Sequence, residues 1–238
     1  MIDVQTDFMQ NRQPGVARLC AVSDIHGCYC EFSLLLERMA LDLSRDTLII
    51  LGDLIDRGPD SYEVVRLVRQ LQATWGKDHV IVLRGNHEQM ALDYCSGISD
   101  WWNFNGNEFT LNSFARHGAS VKDVLAFFAS LPLTFEQSGF LFVHAGLNPH
   151  RSLAKQSASD MLWIRESFYN SRKRWPFTIV FGHTPTYTLV RQNVPVARSG
   201  WIAIDTGCVY GGCLTGVELK DHAIVQSWPV ARSDTEYY

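Results

Sequence analysis

Short apolar runs recur along the first part of the chain, and each stops at a polar cluster. Arg18-Leu19-Cys20-Ala21-Val22 gives way to Ser23-Asp24-Ile25-His26-Gly27, and Thr47-Leu48-Ile49-Ile50-Leu51 to Gly52-Asp53-Leu54-Ile55-Asp56-Arg57-Gly58. His79-Val80-Ile81-Val82-Leu83 ends in the same way, at Arg84-Gly85-Asn86-His87-Glu88. Runs this short, rich in β-branched residues and bounded by turn residues, predict buried strands. Between them the apolar positions change to helical spacing. Phe32, Leu35, Leu36 and Met39 predict a helix from about Cys30 to Ala40. Val64, Val65, Leu67, Val68 and Leu71 predict a second over Ser61–Trp75, introduced by Pro59. This β-α-β-α-β alternation with short connections is the pattern of a parallel sheet with crossover helices.

From Glu88 to Leu131 the pattern is helical with polar breaks, over Gln89–Cys95, Asp100–Asn105, Leu111–Arg116 and Lys122–Leu131. Trp101, Trp102, Phe104 and Phe109 are expected to pack as a small aromatic cluster. After Pro132 a strand period returns in Leu133–Glu136 and Phe140–Val143, joined at Ser138-Gly139 and ending at His144-Ala145-Gly146. A helix near Ala158–Tyr169 carries Trp163 and Arg165. Phe177–Phe181 is a further strand, ending at Gly182-His183-Thr184-Pro185. Trp201–Ile204, Cys213–Leu219 and Ala223–Trp228 read as antiparallel strands. The expected fold is α/β, two stacked mixed β-sheets flanked by helices. No linker, low-complexity run or repeat divides the chain, so residues 16–230 form one expected domain between tails at 1–15 and 231–238.

In such sheets ligands sit outside the carboxyl ends of the strands. The loops carrying Asp24 and His26, then Asp53, Asp56 and Arg57, then Asn86 and His87 are therefore expected to open onto one cleft. Singly, each residue has a plainer role. Asp24 suits a turn, Asn86 suits a helix N-cap with Gln89 three residues on, and His144 and His183 suit backbone-bonded core imidazoles. Together, Asp24, His26, Asp53, Asn86, His144 and His183 put six metal-ligand side chains at the same end of five strands. Two acids and an arginine crowded after a buried strand would be costly with nothing to bind. Carboxylate, amide and imidazole without thiolate suit Mn²⁺, Fe, Zn²⁺ or Ni²⁺. Two metals sharing Asp53 could hold a hydroxide and clamp both oxygens of an in-line displacement. His79, His117, His150 and His222 read as surface residues.

Composition narrows the partners. The 238 residues are 46% hydrophobic and 19% charged, enough for one substantial core. A net charge of −4 argues against nucleic acid as a standing partner. No apolar stretch approaches the roughly 18 residues that span a bilayer, so no membrane partner is expected. Met1–Gln13 is polar and acidic, without the basic-then-apolar order of a signal peptide, which makes the cytoplasm the expected location. The six cysteines form no CxxC pair and read as reduced.

The set Asp24-x-His26, Gly52-Asp53-x-x-Asp56-Arg57-Gly58, Gly85-Asn86-His87-Glu88, His144-Ala145-Gly146 and Gly182-His183 closely resembles the motifs of calcineurin-like metallophosphoesterases. Within them the chain resembles the PPP family of serine/threonine phosphoprotein phosphatases, in its bacterial and phage branch, to which Ile204-Asp205-Thr206-Gly207-Cys208 is also similar. The resemblance implies one divalent metal held by Asp24, His26 and Asp53, and a second by Asp53, Asn86, His144 and His183, with Mn²⁺ favoured. It implies His87 as general acid, oriented by Asp56, and Arg57, Asn86 and Arg165 as substrate-binding residues. The implied reaction is hydrolysis of phosphoserine and phosphothreonine in proteins by a metal-bridging hydroxide. The branch often has Asn-Gly-Gly where this chain has Asn105-Gly106-Asn107, so the local turn can differ. The alternative is a symmetrical diadenosine tetraphosphate hydrolase, ranked second because those relatives usually depart from the DRG and NHE patterns. A binding protein on a dead fold should have lost a ligand or the acid, and all stand in place.

Overall fold

The alternation of side chains within each short strand sets the layers. The structure is a computed structural model describing residues 17–233; the expected tail 1–15 and most of 231–238 lie outside the described residues. Strands β1 (Leu19–Val22), β2 (Thr47–Ile50) and β3 (Val80–Val82) pair in parallel. Cys20, Val22, Leu48, Ile50, Val80 and Val82 face a helical layer. There they pack with Phe32, Leu35 and Met39 of α1 (Tyr29–Met39) and Val64, Val65 and Val68 of α2 (Ser61–Trp75). Leu19, Ala21, Ile49, Leu51, Ile81 and Leu83 point the other way, onto a second sheet. Both faces are buried, which is why these strands read as unbroken apolar runs.

That second sheet contributes Phe140 and Phe142 of β5 (Phe140–Val143), Val180 of β6 (Thr178–Phe181) and Ile202 of β8 (Trp201–Ala203) to the shared core. Its outer face packs Leu141, Val143, Ile179 and Phe181 against Met161 of α6 (Ala158–Trp163), Phe168 of α7 (Glu166–Tyr169) and Leu189 of α8 (Thr186–Val190). The strand orders are β10-β9-β1-β2-β3 and β4-β5-β6-β8-β7, two mixed five-stranded sheets with helices outside, the expected architecture. Here β4 is Thr134–Gln137, β7 Val196–Arg198, β9 Cys213–Lys220 and β10 Ala223–Ala231.

Several expectations need correction or refinement. Trp201–Ile204 was expected to be antiparallel, but β8 pairs in parallel with β6 and takes an antiparallel partner only in β7. That strand is three residues long and largely exposed, too short for its period to show. The middle segment folds as α3 (Asn86–Cys95), a 3₁₀ turn at Trp101–Phe104, α4 (Asn107–Arg116), a second 3₁₀ turn and α5 (Leu125–Ser130). The aromatic cluster does not form as a packed unit: Trp102 is buried, whereas Trp101 is 68% and Phe104 83% exposed. His79 is half-buried, with Nδ1 3.1 Å from the Asp46 carbonyl, so it is no free surface residue. Finally, the cap of α3 is Gly85, not Asn86; Glu88, three residues on, accepts the Gly85 N–H at 2.8 Å. No helix among the described residues is long and apolar enough to cross a membrane.

Candidate metal centre

Both sheets run their central strands in parallel, so the loops after β1, β2, β3, β5 and β6 meet at one edge. Backbone bonds fasten them to each other: His26 N–H to Asp53 O at 2.8 Å, Gly27 N–H to Leu54 O at 2.9 Å and Gly182 N–H to His144 O at 2.8 Å. The two sheets are joined there through the Asp24 carboxylate, which accepts the His183 N–H at 2.9 Å. Asp24, His26, Asp53, Asp56, Arg57 and His183 all adopt positive φ, between 47° and 74°. Such backbone is uncommon outside glycine and persists only where surrounding structure over-determines it.

Close approach explains Gly182. A Cβ there would lie 1.7 Å from Ser23 Oγ and 2.1 Å from Asp24 Oδ2. Gly182→Ala is expected to destabilise the fold by about 1–3 kcal/mol, the usual cost of overpacking, and to weaken metal binding by displacing Asp24. Chemical denaturation and a metal titration check both; unchanged affinity would remove Asp24 from the centre.

Asp53 is the hub. Its Oδ2 lies 3.5 Å from His26 Nε2, 3.5 Å from His144 Nε2 and 3.9 Å from His87 Nε2. Two buried groupings, His26–Asp53–His87 and Asp53–His144–His183, have ligand atoms within 4.8 Å of one another, and Asp53 belongs to both. Asn86 Oδ1 lies 2.8 Å from His144 Nε2, since the Gly85 cap leaves the Asn86 side chain free to reach inward. Asp24 reaches the same centre, but its oxygens rest on the His183 backbone, outside both groupings. Of the six expected ligands, His26, Asp53, His144 and His183 fall within the two groupings and Asn86 touches His144, while His87, expected as an acid, stands in the first grouping where Asp24 was expected.

The histidines show what the centre is built to hold. His26 Nδ1 lies 2.8 Å from Ile55 O, His144 Nδ1 2.9 Å from Leu51 O, and His183 bonds the Trp163 backbone. A carbonyl can only accept, so each bonded ring nitrogen carries the proton and the other presents a lone pair. The His26 lone pair takes the Arg57 Nη1 donor at 2.8 Å, whereas those of His144 and His183 lie with the Asp53 carboxylate, an arrangement of acceptors that a bound cation would satisfy. His183 Nε2 is buried with no hydrogen-bond partner. This is the outer-shell pattern of metal-ligating histidine, and the donors fit a pair of divalent ions.

Electrostatics agree. Burial, with Asp24 and Glu88 nearby, pushes the Asp53 carboxyl well above the usual carboxylate range. Burial holds His26, His87 and His183 well below the ordinary imidazole value and lowers His144 as well. Charged forms are thus disfavoured on both sides until positive charge enters, which inverts the balance for the carboxylates.

His87 differs from the other three. Its Nδ1 lies 2.6 Å from a carboxylate, Asp56 Oδ2, not a carbonyl. Asp56 is held in turn by Thr110 Oγ1 at 2.6 Å and Trp102 Nε1 at 2.7 Å, and burial pushes its pKa to about 7. Thr110 and Trp102 were missed in the sequence reading, because nothing local ties α4 or the 3₁₀ turn to the Asp53 loop. Glu88 was missed as a support: it accepts the N–H groups of Asp53 at 2.9 Å and Leu54 at 2.8 Å. Its spacing three residues after Gly85 was the available signal. Asp205 is another buried acid at the centre, pushed up by burial and by Asp24. Arg57 Nη1 stands 2.8 Å from His26 Nε2, while Arg165 Nη1 donates to His183 O at 2.9 Å and Thr184 Oγ1 at 3.2 Å.

Two ligand groupings sharing one carboxylate, at the strand ends of a two-sheet sandwich, define a dinuclear-metal-site hydrolase. The chain matches the calcineurin-like phosphoesterase family over residues 17–203 and belongs to it. It is 35% identical over 216 residues to serine/threonine-protein phosphatase 1 of Salmonella typhimurium, covering 84% of this chain and 90% of that one. It is 24% identical over 269 residues to the symmetrical bis(5'-nucleosyl)-tetraphosphatase of Nitrosospira multiformis, covering 87% and 94%. A crystal structure provisionally assigned as a diadenosine tetraphosphatase superposes with a TM-score of 0.68 at 24% identity, over 94% of this chain and 97% of that one. At that identity the superposition shows the fold.

Proposed function

We propose that the protein hydrolyses symmetrical dinucleoside tetraphosphates such as diadenosine tetraphosphate. The observation carrying this reading is the pair of guanidinium groups, one beside each ligand grouping: Arg57 against His26, and Arg165 against the His183 backbone. A cation beside each grouping offers charge-assisted donors to more than one phosphate oxygen, as a polyphosphate needs. Relatives named as symmetrical bis(5'-nucleosyl)-tetraphosphatases recur across several bacterial genera, and this supports placing the dinucleotide ahead of the phosphoprotein expected from the motifs. Asp24, His26 and Asp53 would hold one metal, and Asp53, Asn86, His144 and His183 the other; the carboxylate and amide oxygens suit Mn²⁺, and the imidazoles also suit Fe, Zn²⁺ or Ni²⁺. Such metals, when bound, polarise a phosphoryl oxygen and activate water. Arg57, Asn86 and Arg165 orient the phosphate oxygens, and His87, held by Asp56, gives a proton to the departing oxygen.

A second reading is favoured by two specific observations. The Salmonella relative named as a protein phosphatase is 35% identical, and the His87–Asp56 pair supplies a proton that an alkoxide leaving group such as serine needs most. Product analysis separates the two. Mn²⁺-loaded protein is expected to convert diadenosine tetraphosphate to ADP alone. Release of phosphate from a phosphoserine peptide with the dinucleotide left intact would establish the second reading instead.

A further inference from the structure

Two clefts of about 400 Å³ each adjoin the metal centre, and both are walled by exposed aromatic rings. The first is lined by Trp101, Trp163, Met90, Asp93 and Ser99. The second lies among Pro185, Tyr187, Asn193 and Tyr210. Each reaches the centre through one ring. Trp163 stands edge-on to His183 with centroids 6.0 Å apart, and the Arg57 guanidinium lies 5.4 Å over the ring of Tyr210.

We infer that these clefts are nucleobase subsites, one for each end of a dinucleotide, an inference that rests on the dinucleotide reading above. Trp101 is 68%, Tyr210 62%, Tyr187 50% and Trp163 37% exposed. A single exposed ring needs no explanation, but four arranged in two pairs around a polyanion-binding centre present flat apolar faces where bases would lie. Each cleft also holds two polar side chains suited to a base edge, Asp93 and Ser99 in the first and Thr188 and Asn193 in the second. A substrate with one base would fill one cleft, and a bare monoester neither.

The test uses the full-length, Mn²⁺-loaded chain with Trp101→Ala and Tyr187→Ala, two exposed positions outside the metal and proton-transfer residues. Each variant is expected to raise KM for diadenosine tetraphosphate by roughly 5- to 100-fold, the range of a lost base–aromatic stack. Hydrolysis of p-nitrophenyl phosphate, which has no base, should be unchanged. Unaltered KM in both variants of an enzyme that cleaves the dinucleotide overturns the subsites and leaves the dinucleotide reading standing. If the wild-type chain does not cleave the dinucleotide, that reading fails, and ADP titration decides the clefts, by calorimetry of Tyr187→Ala for the second, where unchanged affinity overturns it, and by tryptophan fluorescence for the first. Quenching that disappears in Trp101→Ala would retain the first cleft as a base site, and absence of quenching would overturn it.

Discussion

His87→Asn is expected to slow hydrolysis of an alkyl phosphate by roughly 10²–10⁴-fold, the range for losing a general acid, with bound metal unchanged. The reason is the partner on its inner nitrogen. His26, His144 and His183 give that proton to backbone carbonyls, which leaves the opposite nitrogen as a neutral lone pair. His87 instead meets Asp56 at 2.6 Å, a carboxyl that fixes the ring's orientation, while burial, Arg57 and His144 hold the imidazole well below its ordinary value, so that a proton it carries is readily given up to a departing oxygen. The loss should shrink with the leaving group's need for a proton: smaller for p-nitrophenyl phosphate, and smaller for a dinucleotide, whose departing group is a nucleoside diphosphate. Equal slowing on all substrates with one metal lost would make His87 a ligand of the His26–Asp53 grouping, to which its Nε2 is near enough.

The second large effect belongs to Asp53→Asn. Its Oδ2 faces three imidazole nitrogens and serves both groupings, so the variant should lose metal at both positions. Activity should fall at least 10²-fold, because losing even a partner behind a ligand costs roughly 10–100-fold in metal affinity. His144→Asn disturbs one grouping only and should retain one metal. The metal-free Asp53→Asn protein should be no less stable than the metal-free parent. Burial already pushes the Asp53 carboxyl well up, and an amide of the same shape removes a buried charge. Elemental analysis and thermal melts check both halves.

Much of this centre was legible because its parts sit at strand ends, where apolar runs stop abruptly. Leu51 to Gly52, Leu83 to Arg84 and Phe181 to Gly182 are such breaks, and each is followed within two or three residues by a ligand-type side chain. What could not be read was support arriving from far along the chain. Thr110 and Trp102 are 54 and 46 residues from Asp56, on a short helix and a 3₁₀ turn whose own periodicity looks like ordinary packing. Asn86 shows the limit of local rules. It has the composition of an N-cap, yet the cap is Gly85, a position kept to glycine because a Cβ there would lie 2.1 Å from Asp53 Oδ1. The same cap position lets Glu88 bind the Asp53 loop. The exposed Trp101 and Phe104 mislead for a related reason: hydrophobicity alone does not say whether a ring is core or a ligand's platform.

The most direct test of the dinuclear centre is electron paramagnetic resonance of chelator-stripped protein reloaded with Mn²⁺, with the bound metal counted on the same sample. Two ligand groupings joined through Asp53 predict two Mn²⁺ per chain and the spectrum of an exchange-coupled pair. One Mn²⁺ per chain with the spectrum of an isolated ion would contradict it.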